Sequence, residues 1–222
     1  SKATLEAEDV EATTLGAKTN LDRHIRNMAS FGVPVVVSIN RFASDTDAEL
    51  AAITQAAHES GASAVCLTEV HANGGEGGKD LAEAVVKAVQ RHVAAGRPFV
   101  PLFTPETDVL EKASAIATRM YKAEGLELTT KAQRELDRIR SWGYGHLPVC
   151  MAKTQYSFSH DASLLGAPSG FTVPVREFRL NAGAGFVVAV LGDMMTMPGL
   201  PKRPAALDMD MDEDGNLLGV FG

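Results

Sequence analysis

Val33-Pro34-Val35-Val36-Val37-Ser38-Ile39 limits the fold of this chain more than any other stretch, because β-branched side chains follow one another there without polar alternation. A strand with one wet face alternates, so an uninterrupted run points to a strand covered on both faces, as in a parallel sheet. The run ends in Asn40-Arg41-Phe42, delivering polar and aromatic groups at a carboxyl end. Asp45-Thr46-Asp47 then supplies helix N-cap candidates, Ala48 to His58 has helical spacing, and Gly61 is placed as a stop. Ala64 to Val70 reads as a second strand, and Asp80 to Ala95 as a helix closed by Gly96 and Pro98. Strand, helix, strand, helix predicts an α/β fold, a mostly parallel sheet with flanking helices in a Rossmann-like three-layer arrangement. It also puts Phe42 and His71 at the carboxyl ends of neighbouring strands, the edge where open α/β sheets bind ligands.

Between the second strand and its helix lies Gly74-Gly75-Glu76-Gly77-Gly78. Glycine at this density weakens regular structure and suits close approach by a ligand or by another backbone. The loop matches neither GxxxxGK[ST] nor GxGxxG, so three readings stay open: a phosphate cradle, a turn without a ligand, or a floor for a flat heterocycle. The rings of His71 and Phe42 favour the third, with core packing for Phe42 and a solvated position for His71 as the plainer alternatives.

The flanking segments are less regular. Thr4 to Ser30 has a polar amphipathic helix pattern, and no first strand of an α/β sheet precedes it, so the chain is expected to lack an N-terminal partner. Pro105 to Tyr121 and Thr129 to Trp142 read as helices, and Leu147 to Ala152 as a buried strand delivering Lys153-Thr154-Gln155-Tyr156 to the same edge as Phe42. Phe171 to Leu180 reads as one strand, Asn181 to Gly185 as a turn and Phe186 to Leu191 as a returning strand. Met194 to Pro201 is expected to be an irregular loop, and Asp212 to Asn216 a turn into Leu217-Leu218. This divides the chain into a linking helix (1–30), an α/β domain (31–160), and strands with a proline-rich loop packed on it (161–222).

Several function classes are excluded or weakened. A net charge of -7 argues against a nucleic-acid footprint. No apolar run approaches a membrane span and Ser1-Lys2-Ala3-Thr4 is no signal peptide, which predicts a cytoplasmic protein without membrane partners. Cys66 and Cys150 sit in apolar segments and are expected to be buried free thiols; no metal site is expected. Asp208 to Gly215 lacks the closing Glu of a calcium loop, and Ser157-Phe158-Ser159-His160-Asp161 reads as a polar loop rather than a catalytic triad. Asn40-Arg41 resembles the base-reading strand end of P-loop nucleotide-binding proteins and is a candidate nucleotide contact.

Four ordered blocks together closely resemble the formate–tetrahydrofolate ligase family. They are Phe31 to Phe42, then Glu69-Val70 with Gly74 to Gly78, then Pro148 to Ser159, and Gly192 to Lys202. The resemblance runs from about Leu5 to the C-terminus. It implies ATP-dependent joining of formate to N10 of tetrahydrofolate through formyl phosphate, with ATP and Mg²⁺ as substrate complex, in a cytoplasmic homotetramer. It further implies that this chain is a C-terminal portion whose partner is the missing N-terminal P-loop domain. No catalytic residue is then expected here and the isolated chain would be inactive with nothing bound. By the same resemblance the pterin stacks between Phe42 and the position of His71, with Ala43 and Leu67 lining the pocket and Gly74, Gly75 and Glu76 forming its wall. The sequence departs from the family's expected Phe-Pro and Val-Trp-Ala-Lys, having Phe42-Ala43 and Val70-His71-Ala72-Asn73. Imidazole is a smaller and more polar platform than indole. The alternative is a stand-alone folate-binding or oligomerisation module without catalysis. Lys153, Lys202 and Arg203 are further candidates for contact with the folate glutamate tail, against surface charge as the plainer reading for the last two.

Overall fold

A computed structural model describes residues 7–192, 203–207, 209–213, 215, 217 and 218. The described residues fall into two compact units divided after Gly192. In the first, helical segments Val10–Gly16, Ala17–Leu21 and Asp22–Ala29 follow one another, the middle one a π-turn, and together make α1. Among the described residues the expected helix starts at Val10, where the Asp9 carboxylate accepts from the Ala12 amide at 2.9 Å, and Thr4 to Glu6 lie outside them. Helix α2 (Asp47–Glu59) opens on a capping box formed by Thr46 and Glu49. Glu49 also accepts from the Asp9 amide at 2.9 Å, fastening the starts of α1 and α2 together. Those amide bonds, from Asp9 first and Thr46 next, hold its carboxyl below the usual range.

Strands β1 (Val36–Asn40) and β2 (Ala64–Thr68) pair in parallel, from Val36 opposite Ala64 to Asn40 opposite Thr68. The run expected to be strand from Val33 joins the ladder only at Val36; Pro34 has no N–H to donate. The Ser38 and Thr68 hydroxyls lie 3.0 Å apart across the pair and help fix its register. After β2 come a single turn, α3 (Val70–Asn73), a 3₁₀ stretch Gly74–Gly78, and α4 (Lys79–Ala94), which packs on β2 and β1.

Helix α5 (Val109–Ala115) continues into a π-turn, Ile116–Met120. It starts four residues later than the Pro105 expected from sequence, because Asp108 caps it by accepting from the Leu110 amide at 2.9 Å. Asp108 also takes both Nε and Nη of Arg140, at 3.0 and 2.6 Å, and this pairing holds its carboxyl low. Strand β3 (Gly125–Leu128) has no counterpart in the sequence reading; Gly-Leu-Glu-Leu carries too little pattern, and its ladder comes from a distant parallel partner, β5 (Thr172–Val175). Helix α6 (Thr130–Ser141) and β4 (Val149–Ala152) match expectation within two residues. The segment read as one strand from Phe171 is two, β5 and β6 (Glu177–Asn181), in different sheets. The break falls at Arg176, whose amide donates to the Val190 carbonyl at 2.9 Å. A hairpin returns through Gly185 at φ +73° to β7 (Phe186–Val190), giving the order β4–β7–β6. β4 runs parallel to β7 and not beside β1 or β2, so Lys153 to Tyr156 leave a different sheet from the one ending at Phe42.

The main core belongs to this later part. Val109, Ala132, Leu136, Val175, Val187, Ala189 and Leu191 are fully enclosed there. Lys112 is enclosed too, at 1% exposure, and donates to the carbonyls of Pro105, His146 and Leu147. Burial pushes its ammonium below the ordinary value. The cysteines depart from expectation: Cys66 is half-buried and Cys150 exposed, because β2 and β4 are each paired on one side only among the described residues. In the second unit a 3₁₀ turn, Ala205–Leu207, precedes β8 (Asp210–Met211) and β9 (Leu217–Leu218), an antiparallel pair with Gly215 at φ +84° between them. The irregular loop expected at 194–201 and Lys202 lie outside the described residues.

Candidate functional site

The β1–β2 pair ends in the residues the sequence singled out. Arg41 follows β1 directly, and its amide donates to the Thr68 carbonyl at 3.0 Å, extending the ladder by one bond. The chain then turns: Phe42 donates its amide to the Asp45 carboxylate at 2.8 Å while the Asp45 amide returns to the Phe42 carbonyl at 3.1 Å. This closed turn holds the Phe42 ring out from the strand end, at 62% exposure. Core packing for Phe42 is thereby overturned. Leu67 and Val70 are also open, at 43% and 51%, and Ala43 and His71 are exposed. A large ring with apolar neighbours left in water at a strand end is a surface suited to a flat organic ligand.

The glycine stretch divides by position. The Gly77 carbonyl accepts from the Glu69 amide at 3.0 Å, and a Cβ added at Gly77 would sit 2.5 Å from the Glu69 carbonyl carbon and oxygen. Its glycine is required by another stretch of backbone. Gly74 has φ +58° and ψ -143°, a conformation that side chains disfavour. Gly75 is different, with nothing within 4 Å of its would-be Cβ. Gly74, Gly75 and Glu76 are exposed directly after α3, on the chain that leaves the carboxyl end of β2. Among the described residues neither the Phe42 nor the His71 ring stacks on another ring.

The candidate nucleotide contacts fare unequally. Arg41 is held by carboxylates on both sides, Asp47 at 3.4 Å and Glu69 at 3.9 Å, so its charge braces the two strand-end loops. Asn40 ends β1 with its side chain exposed. A cavity of about 770 Å³ lies at the opposite, amino edge of the pair, against Val33, Pro34, Ser63 and Ala64, with Lys87, Arg91 and Arg97 facing Asp80 and Glu83 around it. It does not adjoin Phe42; parallel sheets bind their ligands at the carboxyl edge, so chemistry is placed there.

Sequence reasoning missed one polar cluster. Ser157 and Ser159, read as part of a polar loop, are buried; their hydroxyls lie 2.9 Å apart and donate onward to the Leu164 and Asp161 carbonyls. Lys153 donates to the Thr154 and Ser157 carbonyls and lies 5.2 Å from the centre of the Tyr121 ring. Burial pushes this ammonium down and pushes the Tyr121 phenol up to about 12. Lys153 is thus committed to its own loop. No spacing rule joins Tyr121 to Lys153, since tertiary folding alone brings them together. Among the described residues no group of His, Cys, Asp and Glu could hold a metal ion, and no helix is long and apolar enough to cross a membrane.

Comparison with known proteins bears on the family of the whole chain. The family model described as formate–tetrahydrofolate ligase matches residues 1–221. A formate–tetrahydrofolate ligase of Paracoccus denitrificans (strain Pd 1222) is 49% identical over 221 residues, covering 100% of this chain and 39% of the relative. One of Roseobacter denitrificans (strain ATCC 33942 / OCh 114) is 50% identical over the same span and share. The chain therefore spans about two-fifths of the length of the curated relatives it matches, 39% in each case. It belongs to the formate–tetrahydrofolate ligase family.

Proposed function

We propose that this chain supplies the folate side of the active site of an ATP-dependent ligase joining formate to N10 of tetrahydrofolate. The observation carrying the proposal is Phe42, an aromatic ring held 62% exposed by its own turn at the carboxyl edge of a parallel pair. The pterin lies on Phe42, with Leu67 and Ala43 beside it, His71 at the lip, and Gly74, Gly75 and Glu76 as the wall. Gly75 suits this role because space is open over its backbone. In the reaction, formate attacks the γ-phosphorus of ATP, releasing ADP and leaving formyl phosphate. The N10 amine then attacks the formyl carbon, phosphate leaves and the amine loses its proton. Holding amine and acyl phosphate together is worth up to roughly 7–11 kcal/mol in favourable cases, so orienting the pterin is a catalytic contribution without any proton transfer by this chain.

Phosphoryl transfer needs a phosphate cradle, a lysine and Mg²⁺. No GxxxxGK[ST] occurs in the sequence, and Arg41 is already paired with two carboxylates. The nucleotide side accordingly comes from the family's polypeptide beyond this chain, a P-loop domain, with assembly as a cytoplasmic homotetramer. Asn40, exposed at the end of β1, is the group of this chain that meets the purine in this reading.

Titration of tetrahydrofolate into a full-length ligase carrying these residues in place of its own matching 39% tests the reading. Micromolar binding is expected, weakened about tenfold by Phe42→Ala, the size of one lost aromatic stack. Absence of binding at millimolar ligand would remove the folate role. Formate-dependent ADP release by the chain alone would refute the division of labour.

A further inference from the structure

Helix α4 is sixteen residues long and none of them is buried. On its inner side Leu81, Ala84, Ala88 and His92 recur at helical spacing and are half-buried, on a helix that packs on β2 and β1, and the last three also line the cavity described above. A second apolar stripe occupies a different side. Val85, Val86, Val89 and Val93 recur at the same spacing and are 43%, 54%, 54% and 71% exposed. A solvent-facing helix side normally carries charge, and contiguous apolar surface of this kind marks an interaction site. The layer beneath is also incomplete. Among the described residues β1 and β2 form a parallel sheet of two strands, whereas parallel sheets occur almost wholly with both faces covered and with more strands.

We infer that the outer valine stripe of α4 is a docking face, and that its occupant is the portion of the ligase polypeptide that this chain does not include. The relatives carry about three-fifths of their length beyond the matched 39%, enough to supply a covering layer. The complementary surface is an apolar helix face, because valines at i, i+4 and i+8 form a ridge that another helix's groove accepts. The inference deepens the proposed division of the enzyme and rests on it.

Hydrogen exchange on peptides spanning Leu81 to Ala94 tests it in two proteins. One is this chain; the other is the full-length Paracoccus denitrificans ligase carrying these residues in place of its own matching 39%. Exchange is expected to be fast and independent of concentration in the chain alone, and about tenfold or more slower in the full-length protein. A V85D/V89D/V93D variant should leave the circular dichroism of the chain unchanged and abolish the slowing in the full-length protein. Equal exchange in both proteins, or slowing that survives the triple variant, would overturn the inference. So would concentration-dependent slowing in the chain alone, which would assign the stripe to a second copy. Tetrahydrofolate titration reports Phe42 separately, so failure of the folate reading leaves a different trace.

Discussion

Helices α4 and α6 make the instructive contrast. α6 is the more polar, with five basic or acidic side chains among Lys131, Arg134, Glu135, Asp137 and Arg138 alone, yet it buries Ala132, Leu136 and Ile139. α4 carries four valines toward solvent and buries nothing. The difference lies in the partner. α6 lies over β6 and β3, in the part where Val173, Val175, Val187 and Leu191 are at 1% exposure or less, while α4 lies on two strands. Apolar composition supplies the tendency to be buried, and the number of elements available decides whether it is met.

The contrast breaks first if stability does not follow burial. Leu136→Ala should cost about 2–5 kcal/mol, since a fully enclosed leucine loses its transfer energy and leaves a cavity. Urea unfolding of wild type and variant, with unchanged slope, checks it. A loss under about 1 kcal/mol would mean that the core around α6 collapses freely and is no better packed than the α4 layer.

The next largest effect lies inside the glycine stretch. Gly77→Ala puts a Cβ at 2.5 Å from the Glu69 carbonyl, a contact that forces the backbone apart, and should cost about 2–3 kcal/mol together with folate binding. Gly75→Ala meets open space and should stay within about 0.5 kcal/mol. The same urea unfolding, with tetrahydrofolate titrations, separates them. Equal losses would show that the two glycines answer to one constraint, not one to backbone and one to ligand.

A third test uses pH. The Tyr121 phenol is raised to about 12 from its ordinary 10.0, by burial first and then the nearby Cys150 thiol. A raised value stabilises the folded state fully below the unfolded value and loses that contribution as pH climbs through the folded one. Stability should therefore fall by about 2 kcal/mol between pH 10 and 12, and Tyr121→Phe should flatten that slope. An unchanged slope in the variant would place the alkaline loss elsewhere.

Much of this was readable from the chain. The alternation of β1, α2, β2 and α4 followed from runs and caps because each element carries its own local signal, the capping box at Thr46 and Glu49 included. Phe42 was readable as a strand-end residue because it ends such a run. What escaped was set by partners distant in sequence. β3 is a strand only because β5 lies beside it, and the chain breaks at Arg176 because β5 and β6 answer to different sheets. The buried hydroxyls of Ser157 and Ser159 escaped for the same reason, as their bonds close within a loop that tertiary packing covers. The Val33 to Ile39 run was read as a strand covered on both faces, yet β1 is mostly half-exposed, which is the α4 contrast seen from the sheet.

The smallest expected effect bears most directly on that contrast. Val89→Ala removes two methyl groups that are 54% exposed, so in this chain it should change stability by less than about 0.5 kcal/mol. Alanine's better helix propensity offsets part of the loss, by a few tenths of a kcal/mol. Paired urea titrations of Val89→Ala and Leu136→Ala under one buffer make the ratio the measured quantity. A Val89 cost approaching that of Leu136 would mean that the stripe is already packed in this chain, and burial would no longer distinguish α4 from α6. A near-zero cost here, set beside a cost of about 1 kcal/mol or more in the full-length chimera, assigns the difference to the polypeptide that covers the stripe.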